Sequence, residues 1–254
     1  MLKVLMHGAG GKMGRMIAEC AQKSDFAEIV CGVDVKEVTD LSFPVCRTLC
    51  DVREKFDVII DFSHASTLSS LLSFALKQKI PCVIASTGHT PEQKEEIYRA
   101  SKEIPVFYSA NFSVGVNVLL SVCRRAAAAL GESFDIEIVE KHHNQKVDAP
   151  SGTALMLADG ISSVLDEAPE YVFARHDRHA PREKREIGIS AVRGGTIVGE
   201  HDVIFAGAQE VVTLSHTAYS RVIFANGALR AARFLAQKPS GLYNMESMIE
   251  ESLK

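Results

Sequence analysis

The chain opens with the stretch Lys3-Val-Leu-Met-His-Gly-Ala-Gly-Gly-Lys-Met-Gly14, in which a short apolar run is followed by a glycine-rich turn. Residues 15–23 then carry apolar side chains at helical spacing, and a second apolar run at 28–33 ends in Asp34. Strand, glycine turn, helix and strand make a βαβ unit. Asp34 stands where a dinucleotide fold places the carboxylate that accepts the ribose hydroxyls, so the stretch predicts a dinucleotide-binding domain.

The glycine spacing of this turn departs from the strict dinucleotide fingerprint. Counted from Gly8, the Gly-x-Gly-x-x-Gly pattern needs a glycine where the chain has Met13, and the next glycine is Gly14. The alternative is a βαβ unit whose glycines serve only close packing. We favour the dinucleotide interpretation because the turn follows a strand, precedes a helix and has Asp34 as its acidic partner.

Asp34 also bears on which nicotinamide cofactor is bound. Its carboxylate favours NADH, because it repels the 2′-phosphate of NADPH. Lys36 offers a cation for that phosphate two residues further on, so the use of both NADH and NADPH stays open. The alternative is that Lys36 is a solvated surface lysine.

Apolar runs alternate with helical stretches over the first 110 residues. Thr90-Pro-Glu-Gln93 is a capping box that opens a helix ending near Lys102. This alternation predicts an α/β fold with an N-terminal doubly wound parallel sheet, Rossmann-like, whose ligands bind beyond the carboxyl ends of the strands. The other elements predicted here are strands at 57–62, 81–85 and 105–109 and a helix at 63–79.

The pattern changes after residue 112, where a second domain is predicted. It combines helices at 116–130 and 153–165 with strands at 135–140, 186–193, 196–206 and 210–218. The last three strands are joined by short turns at Gly194-Gly195 and Gly207-Ala208, which predict antiparallel neighbours. We expect a second α+β domain built on an open mixed sheet, and a helix at 226–237 that returns to the first domain. The predicted boundaries are 1–112 with 222–254 for dinucleotide binding and 113–221 for substrate binding and oligomerisation.

A polar, charge-rich segment at 167–185 precedes the last three strands. Its length and charge make it a candidate lid or subunit contact. The alternative is a disordered surface loop.

The composition excludes several classes of function. With 28 basic and 32 acidic residues the net charge is −4, which argues against nucleic acid or an anionic membrane as the main partner. The six cysteines lack Cys-x-x-Cys spacing and the N-terminus shows no export signal, so we expect reduced thiols in a cytoplasmic protein. The charge-free run 104–123 contains Pro105, Asn111 and Asn117, and we interpret it as strand, loop and helix rather than a membrane span.

Titratable residues are concentrated in Glu140-Lys-His-His-Asn-Gln-Lys-Val-Asp-Ala-Pro-Ser-Gly-Thr-Ala154. We place His142, His143 and Lys146 on a strand-to-helix connection. Pro150-Ser-Gly152 is typical of a helix start, whose free N–H groups and hydroxyl form an anion site. Such a site suits a small substrate with carboxylates, with an imidazole or ammonium to move a proton. The alternative is a solvated histidine pair beside a capped turn. A metal site is disfavoured, because adjacent residues of an extended segment point in opposite directions and no cysteine is near.

These residues resemble the dihydrodipicolinate reductase family, and the resemblance runs nearly from end to end. Its most specific piece is Glu-x-His-His-x-x-Lys-x-Asp-x-Pro-Ser-Gly-Thr-Ala at 140–154. The other matching pieces are Gly8 to Arg15, Ser109 to Asn117, Gly199 to Phe205, His216 to Arg221 and Phe224 to Ala228.

The resemblance implies roles for particular residues. His142 matches the family's active-site histidine, Lys146 its proton-donating lysine, and His143, Gly152 and Thr153 its substrate-binding positions. Ser151 joins the substrate set through the anion site inferred above. The residues that match the NADH or NADPH site are Gly8, Ala9, Gly10, Gly11, Lys12, Met13, Asp34, Ala85, Ser86, Thr87, Ser109, Ala110, Asn111 and Phe112.

The resemblance also implies a function, a homotetramer joined through the second domain's sheets, and a hinge between domains. The function is reduction of a cyclic dicarboxylate by NADH or NADPH in the diaminopimelate route to lysine. We expect hydride to add to a conjugated C=N system formed by loss of the 4-hydroxyl, with Lys146 or His142 supplying the proton.

Two departures from the family affect the cofactor site: Val35 stands where the family often has a basic residue, and Ala85-Ser-Thr-Gly88 where many members have Gly-Thr-Thr-Gly. Two rival functions remain open. One is a dehydrogenase acting on a related amino acid, such as an aspartate dehydrogenase. The other is a protein that binds NADH as a sensor without turnover.

Overall fold

The computed structural model describes residues 1–173, 175–176 and 178–252. The chain splits into two compact units, and each is described by itself below. Unit 1 comprises Met1–Val114 and Val222–Lys254, and unit 2 comprises Gly115–Arg221. The assignment of cofactor binding to the first and of substrate binding and oligomerisation to the second stays a prediction.

The described residues of unit 1 form a seven-stranded sheet in which every pair of neighbours is parallel. The order across the sheet is β12-β6-β5-β4-β1-β2-β3. This arrangement confirms the predicted doubly wound parallel sheet. The strands are β1 (Leu2–His7), β2 (Ala27–Val33), β3 (Val45–Cys46), β4 (Val58–Asp61), β5 (Cys82–Ile84), β6 (Pro105–Tyr108) and β12 (Gly241–Tyr243).

Helices cover both faces of this sheet. Ile17 of the first helix and Ala228 of the sixth pack on one face, whereas Leu71 of the second and Ile97 of the third pack on the other. Each face is therefore closed by its own apolar cluster, as an all-parallel sheet requires. The helices of unit 1 are α1 (Lys12–Gln22), α2 (Leu68–Gln78), α3 (Pro91–Ser101), α6 (Val222–Leu235) and α7 (Met245–Ser252).

The strand order reverses at β1, which has β2 on one side and β4 on the other. Ligands of open α/β sheets bind in the crevice that such a reversal opens at the carboxyl ends of the strands. Gly8, Asp34 and Phe62 directly follow these three strands. The fold therefore brings the predicted glycine turn and its acidic partner to the same edge.

Boundaries and short elements differ from the predictions. The capping box is confirmed, because the Thr90 side chain accepts from the Gln93 N–H and the Gln93 side chain accepts from the Thr90 N–H. Helix α1 begins at Lys12, inside the predicted glycine turn, and α2 begins only after a 3-10 turn at Ala65–Thr67. The strands β3 and β12, of two and three residues, were not predicted, because runs this short show no periodicity.

The described residues of unit 2 form a five-stranded mixed sheet in the order β11-β10-β7-β9-β8. The parallel neighbours are β7 with β9 and β9 with β8, and the antiparallel ones are β10 with β7 and with β11. The predicted open mixed sheet is confirmed. Its elements are α4 (Val114–Leu130), β7 (Asp135–His142), α5 (Gly152–Ser162), β8 (Glu170–Val172), β9 (Glu186–Arg193), β10 (Gly199–Ala206) and β11 (Val211–Ala218).

Helices α4 and α5 bury their apolar residues in the core of unit 2, where Leu119 and Leu157 join Ile138 and Phe205 of the sheet. Gly131 ends α4 with φ +57°, a left-handed conformation that glycine adopts without strain. Residues 114–133 have the length and hydropathy of a membrane span, but Leu119, Cys123 and Ala127 of α4 are buried in this protein core.

The prediction that the strands on either side of Gly194-Gly195 are neighbours is wrong. Strand β7 lies between β9 and β10 and pairs with both. The turn makes its hydrogen bonds to the end of β7 instead, from Gly194 N–H to the His142 carbonyl at 2.9 Å and from Asn144 N–H to the Gly195 carbonyl at 3.2 Å. The predicted pairing across Gly207-Ala208 is confirmed by β10 and β11.

The segment 167–185 has structure of its own, so the disordered-loop alternative is wrong for its described part. Residues 170–172 form β8. Arg175 pairs with Glu137 at 2.8 Å and with Glu186 at 2.6 Å, which ties the segment to β7 and β9. Ala174 and Asp177 lie outside the described residues. A role as lid or subunit contact stays a prediction.

Candidate active site

The buried face of β7 ends in two titratable residues. Burial alternates along this strand, and the buried positions run through Ile136 and Ile138 to Glu140 and His142. Residues two apart in a strand share a face, so Glu140 and His142 emerge side by side from the core. His142 was predicted to lie on the connection after the strand, but it is the last residue of β7.

Glu140 is fully buried and holds three parts of the site together. It accepts hydrogen bonds from His142 Nδ1 at 2.6 Å, from both Nη atoms of Arg193 at 2.8 Å, and from the Ser151 N–H at 2.9 Å. Burial raises the pKa of Glu140, but the bonds from Arg193, His142 and Ser151 outweigh it and lower the pKa. Glu140 is therefore an ionised carboxylate at neutral pH.

The protonation of Glu140 decides the tautomer of His142. An ionised carboxylate only accepts hydrogen bonds, so Nδ1 of His142 carries the proton and Nε2 is the free nitrogen. Burial lowers the pKa of His142 in spite of the opposing effect of Glu140, so the ring is neutral at neutral pH. Gly199 leaves room for Nε2, since a Cβ at that position would lie 3.1 Å from it.

Ser151 caps the N-terminus of α5 and connects this helix to a second imidazole. Its Oγ accepts from the Ala154 N–H at 3.1 Å and lies 3.0 Å from Nε2 of His201, whose ring packs edge-on against His142 at 5.2 Å between centroids. Ser151 is buried and its hydroxyl is already bonded, whereas Gly152 is exposed. The first N–H groups of a helix have no partner inside the helix, so the predicted anion site at this end of α5 would rest on backbone groups rather than on the Ser151 hydroxyl.

Lys146 and His143 follow β7 on the connection to α5. Lys146 Nζ pairs with Asp148 Oδ1 at 2.8 Å, and the Lys146 N–H donates to the His143 carbonyl at 3.1 Å. Arg193 Nη2 donates to the Asp148 carbonyl at 2.7 Å. Arg193 therefore fastens this connection to the end of β9 as well as binding Glu140.

His201 makes stability dependent on pH. Burial, followed by the neighbouring His142, lowers its pKa from 6.5 to about 4. As pH falls from 6.5 to about 4, the unfolded chain takes up a proton that the folded ring does not, so folding stability falls in this window, by up to roughly 3 kcal/mol. We expect the urea midpoint of the parent to drop more between about pH 7 and about pH 5 than that of His201→Gln, whose amide still reaches Ser151. Equal drops in urea midpoint for the parent and His201→Gln would contradict the role of His201 in this pH dependence.

The glycine turn of unit 1 is closely packed. Gly8 has φ +83°, and a Cβ there would lie 2.8 Å from the Phe62 carbonyl oxygen. A Cβ on Gly14 would lie 2.3 Å from the Gly8 carbonyl oxygen, so Gly14 performs the close helix-to-strand packing that the fingerprint assigns to its third glycine. Asp34 Oδ2 accepts from the Gly10 N–H at 2.8 Å.

This turn fits the pyrophosphate and ribose of a dinucleotide. Among the described residues, no side chain caps the N-terminus of α1 and no acidic residue lies in its first turn. Its free N–H groups, next to Lys12, are what a pyrophosphate binds. A cleft of about 870 Å³ adjoins the turn and includes Gly8, Gly11 and Asp34 in its lining. The structure therefore groups Gly8 to Met13 with Asp34, as predicted from the resemblance.

The two further loops predicted to touch the cofactor follow β5 and β6. Ser86 is buried and Thr87 exposed in the first loop. In the second, Ala110 is exposed, and Asn111 and Phe112 are buried, with the Phe112 ring 5.7 Å from that of Phe107. Of the remaining predicted cofactor-site residues, Ala9 and Ala85 are buried and Ser109 is half-buried. Contact of these residues with a cofactor stays a prediction.

Asp61 is a buried residue at the same edge that the sequence did not single out. Its carboxylate bonds to His7 Nδ1 at 2.8 Å, Ser63 Oγ at 2.5 Å and Ser86 Oγ at 2.6 Å. Burial raises the pKa of Asp61, but these bonds outweigh it and lower the pKa. It therefore ties the ends of β1, β4 and β5 together. The sequence did contain a signal for this role, because Asp61 is a charged residue at the end of the apolar strand β4.

Glu140, Arg193 and His201 were also missed as site residues. Glu140 and His201 lie inside the stretches that carry the family resemblance, so the motifs did mark their positions. Arg193 gave no local signal, because it is 53 residues from Glu140 in sequence.

Two family models match the chain, those of the N-terminal part of dihydrodipicolinate reductase over residues 2–112 and of its C-terminal part over residues 115–249. The 4-hydroxy-tetrahydrodipicolinate reductase of Caldanaerobacter subterraneus subsp. tengcongensis is 53% identical over 251 residues, which cover 99% of each chain. That of Clostridium tetani is 48% identical over 98% of this chain and 97% of its own.

A solved structure agrees with these relatives. The dipicolinate-bound dihydrodipicolinate reductase from Paenisporosarcina sp. TG-14 matches with a TM-score of 0.80 at 26% identity, over 96% of this chain and 97% of that one. Since the family models span nearly all of the sequence and the relatives match it along nearly their full length, the chain belongs to the dihydrodipicolinate reductase family.

Proposed function

We propose that this protein reduces 4-hydroxy-tetrahydrodipicolinate, a cyclic dicarboxylate, to tetrahydrodipicolinate with NADH or NADPH, in the diaminopimelate route to lysine. The observation that carries the proposal is the buried Glu140–His142 pair beside the start of α5. It supplies an oriented imidazole next to an anion site, as reduction of a dicarboxylate requires. Relatives named for this activity, and one relative that binds dipicolinate, support the choice of substrate.

The overall reaction removes the 4-hydroxyl of the substrate as water and adds a hydride and a proton to the ring. The bound nicotinamide supplies the hydride. The glycine turn and the N-terminus of α1 hold the pyrophosphate, and Asp34 accepts hydrogen bonds from the ribose. Ala85 to Thr87 and Ser109 to Phe112 complete the cofactor site.

The residues of unit 2 bind the substrate and move the proton. The N–H groups of Gly152 and Thr153 at the start of α5 hold one carboxylate, with Ser151 fixing the turn. His143 and Lys146 bind near the ring. Glu140 holds Nδ1 of His142, so that Nε2 is directed away from the carboxylate and is free to exchange a proton. Lys146 delivers that proton, or His142 delivers it after Nε2 has first taken one up.

Lys146→Ala is expected to lower kcat and raise KM together, because the lysine both donates a proton and pairs with a carboxylate. Loss of a charged hydrogen-bond partner weakens substrate binding by roughly 10- to 100-fold. Steady-state kinetics with varied substrate measure both constants, and Lys184→Ala, which removes an exposed lysine of the same unit, is the control. A change in KM alone would reduce Lys146 to a binding residue.

The activity itself is tested by mixing the purified chain with freshly condensed pyruvate and aspartate semialdehyde. Loss of reduced-nicotinamide absorbance is followed with NADH and NADPH separately. Turnover supports the proposal. Turnover only with another amino-acid substrate, in a panel that includes oxaloacetate with ammonia, would favour an amino-acid dehydrogenase. Cofactor binding without turnover on any substrate would favour a sensor.

We also propose a homotetramer in the cytoplasm, joined through the sheet of unit 2. The face of this sheet opposite α4 and α5 carries apolar side chains that its helices leave uncovered, namely Val139, Ile204 and Val211. These apolar side chains lie on the same face as Lys141, which pairs with Glu200 and Asp202, and such a mixture of apolar and charged groups suits a subunit contact. Light scattering on the purified protein, with Ile204→Lys as the interface variant, measures the assembly. A monomeric parent would contradict the proposal.

A further inference from the structure

The cleft beside Asp34 contains an arginine that the sequence did not connect with the cofactor. Arg47 lines the same cleft as Gly11, Asp34 and Val35. Lys36, the cation that the sequence suggested for a 2′-phosphate, does not line it. The family's usual basic residue is absent, because the chain has Val35 there. A positive charge is nevertheless present at this edge.

Strand pairing places the backbone of Arg47 beside that of Asp34. Strand β3 runs parallel to β2, with Val33 opposite Cys46. The Asp34 N–H donates to the Cys46 carbonyl at 3.0 Å, and Arg47 is the next residue. Parallel strands lie about 4.8 Å apart, so the backbone of Arg47 emerges one strand away from the residue that accepts the ribose hydroxyls.

Asp34 is hydrogen-bonded to backbone groups rather than to Arg47, so the guanidinium is available to bind a ligand. Both carboxylate oxygens of Asp34 accept from backbone groups, Oδ2 from Gly10 N–H at 2.8 Å and Oδ1 from Lys36 N–H at 2.9 Å. Arg47 is exposed and makes neither a hydrogen bond nor an ion pair with any residue that the structure describes. Arg53 lines the same cleft but is held by the carbonyls of Cys50 and Val52.

We infer that Arg47 is a specificity-determining residue that binds the 2′-phosphate of NADPH, so that this chain uses both NADPH and NADH. The inference rests on the proposed function. A ribose whose hydroxyls face Asp34 carries its 2′-phosphate at the same edge, where the carboxylate repels it. A guanidinium offers that phosphate a paired set of N–H donors and offsets the repulsion, while NADH remains bound through Asp34.

The direct test is equilibrium binding to the full chain, by calorimetry, of 2′,5′-ADP and of ADP, which differ in the 2′-phosphate. We expect Arg47→Ala to weaken 2′,5′-ADP relative to ADP by roughly 10- to 100-fold, the range for a lost charged hydrogen-bond partner. Arg47→Lys retains the charge and part of the preference. Lys36→Ala removes one charge two residues from Asp34 and is expected to leave the ratio of the two dissociation constants as in the parent.

The same ratio is then measured in turnover, as kcat/KM for NADPH over that for NADH. It is expected to fall in Arg47→Ala by a similar factor. An unchanged ratio in Arg47→Ala, or a fall in Lys36→Ala instead, would overturn the inference and leave the proposed function standing. A parent chain that binds neither nucleotide would overturn the proposed function itself.

Discussion

The His142→Gln variant is expected to lower kcat by about 10²- to 10⁴-fold, the range for loss of one general acid or base. Glutamine fills similar space and can still hydrogen-bond to Glu140, but it does not titrate. Because His142 belongs to unit 2 and the glycine turn to unit 1, NADH binding is expected to stay as in the parent.

Single-turnover measurements with saturating substrate separate this loss of chemistry from slow product release. NADH affinity is measured independently by fluorescence titration. His179→Gln, which changes an exposed histidine of the same unit, is the control. If His142→Gln reacted as fast as the control, the catalytic role of His142 would be wrong and Lys146 would be left as the proton donor.

The second large effect is expected at Glu140, where the change to glutamine destabilises the fold. It removes the charge that pairs with Arg193, and breaking a buried pair by removing one partner costs about 3–5 kcal/mol. The amide also no longer enforces the Nδ1 tautomer of His142, so a loss of kcat is expected alongside the loss of stability.

Urea unfolding of the full chain measures the free energy, with Glu132→Gln, an exposed carboxylate of unit 2, as the control. The double variant Glu140→Gln with Arg193→Met leaves no unpaired charge and is expected to recover part of the loss, which a double-mutant cycle quantifies. A loss below about 1 kcal/mol for Glu140→Gln, the size found for exposed ion pairs, would show that the pair does not support the site.

The sequence predicted the long elements of the fold because their periodicity is local. The helix after Thr90 and the strand 186–193 were found within a residue or so, since each is specified by its own side chains. The order of strands in unit 2 was not predictable in the same way. Whether β9 pairs with β10 or with β7 depends on hydrogen bonds between segments about 50 residues apart, such as Ile187 with Ile136.

In the candidate site too, local sequence predicted some residues and long-range strand pairing decided the others. His142, His143 and Lys146 lie within five positions of one another, so a local motif was enough to select them. The partners that orient them come from other strands: Arg193 ends β9 and His201 is part of β10. Tertiary pairing alone brings these groups to Glu140 and Ser151, which is why sequence spacing did not reveal them.

The strand β12 has a consequence for synthesis of the chain on the ribosome. It pairs with β6 through residues 241–243, whereas all of unit 2 is translated between these two strands. The outer edge of β6 therefore stays unpaired until that whole insertion has been made, and exposed strand edges invite association with other chains. Unit 2 is fully translated before unit 1, which still lacks residues 222–254, and unit 2 can therefore fold first. The N-terminal part of unit 1, waiting with an open strand edge, is then the segment most in need of a chaperone.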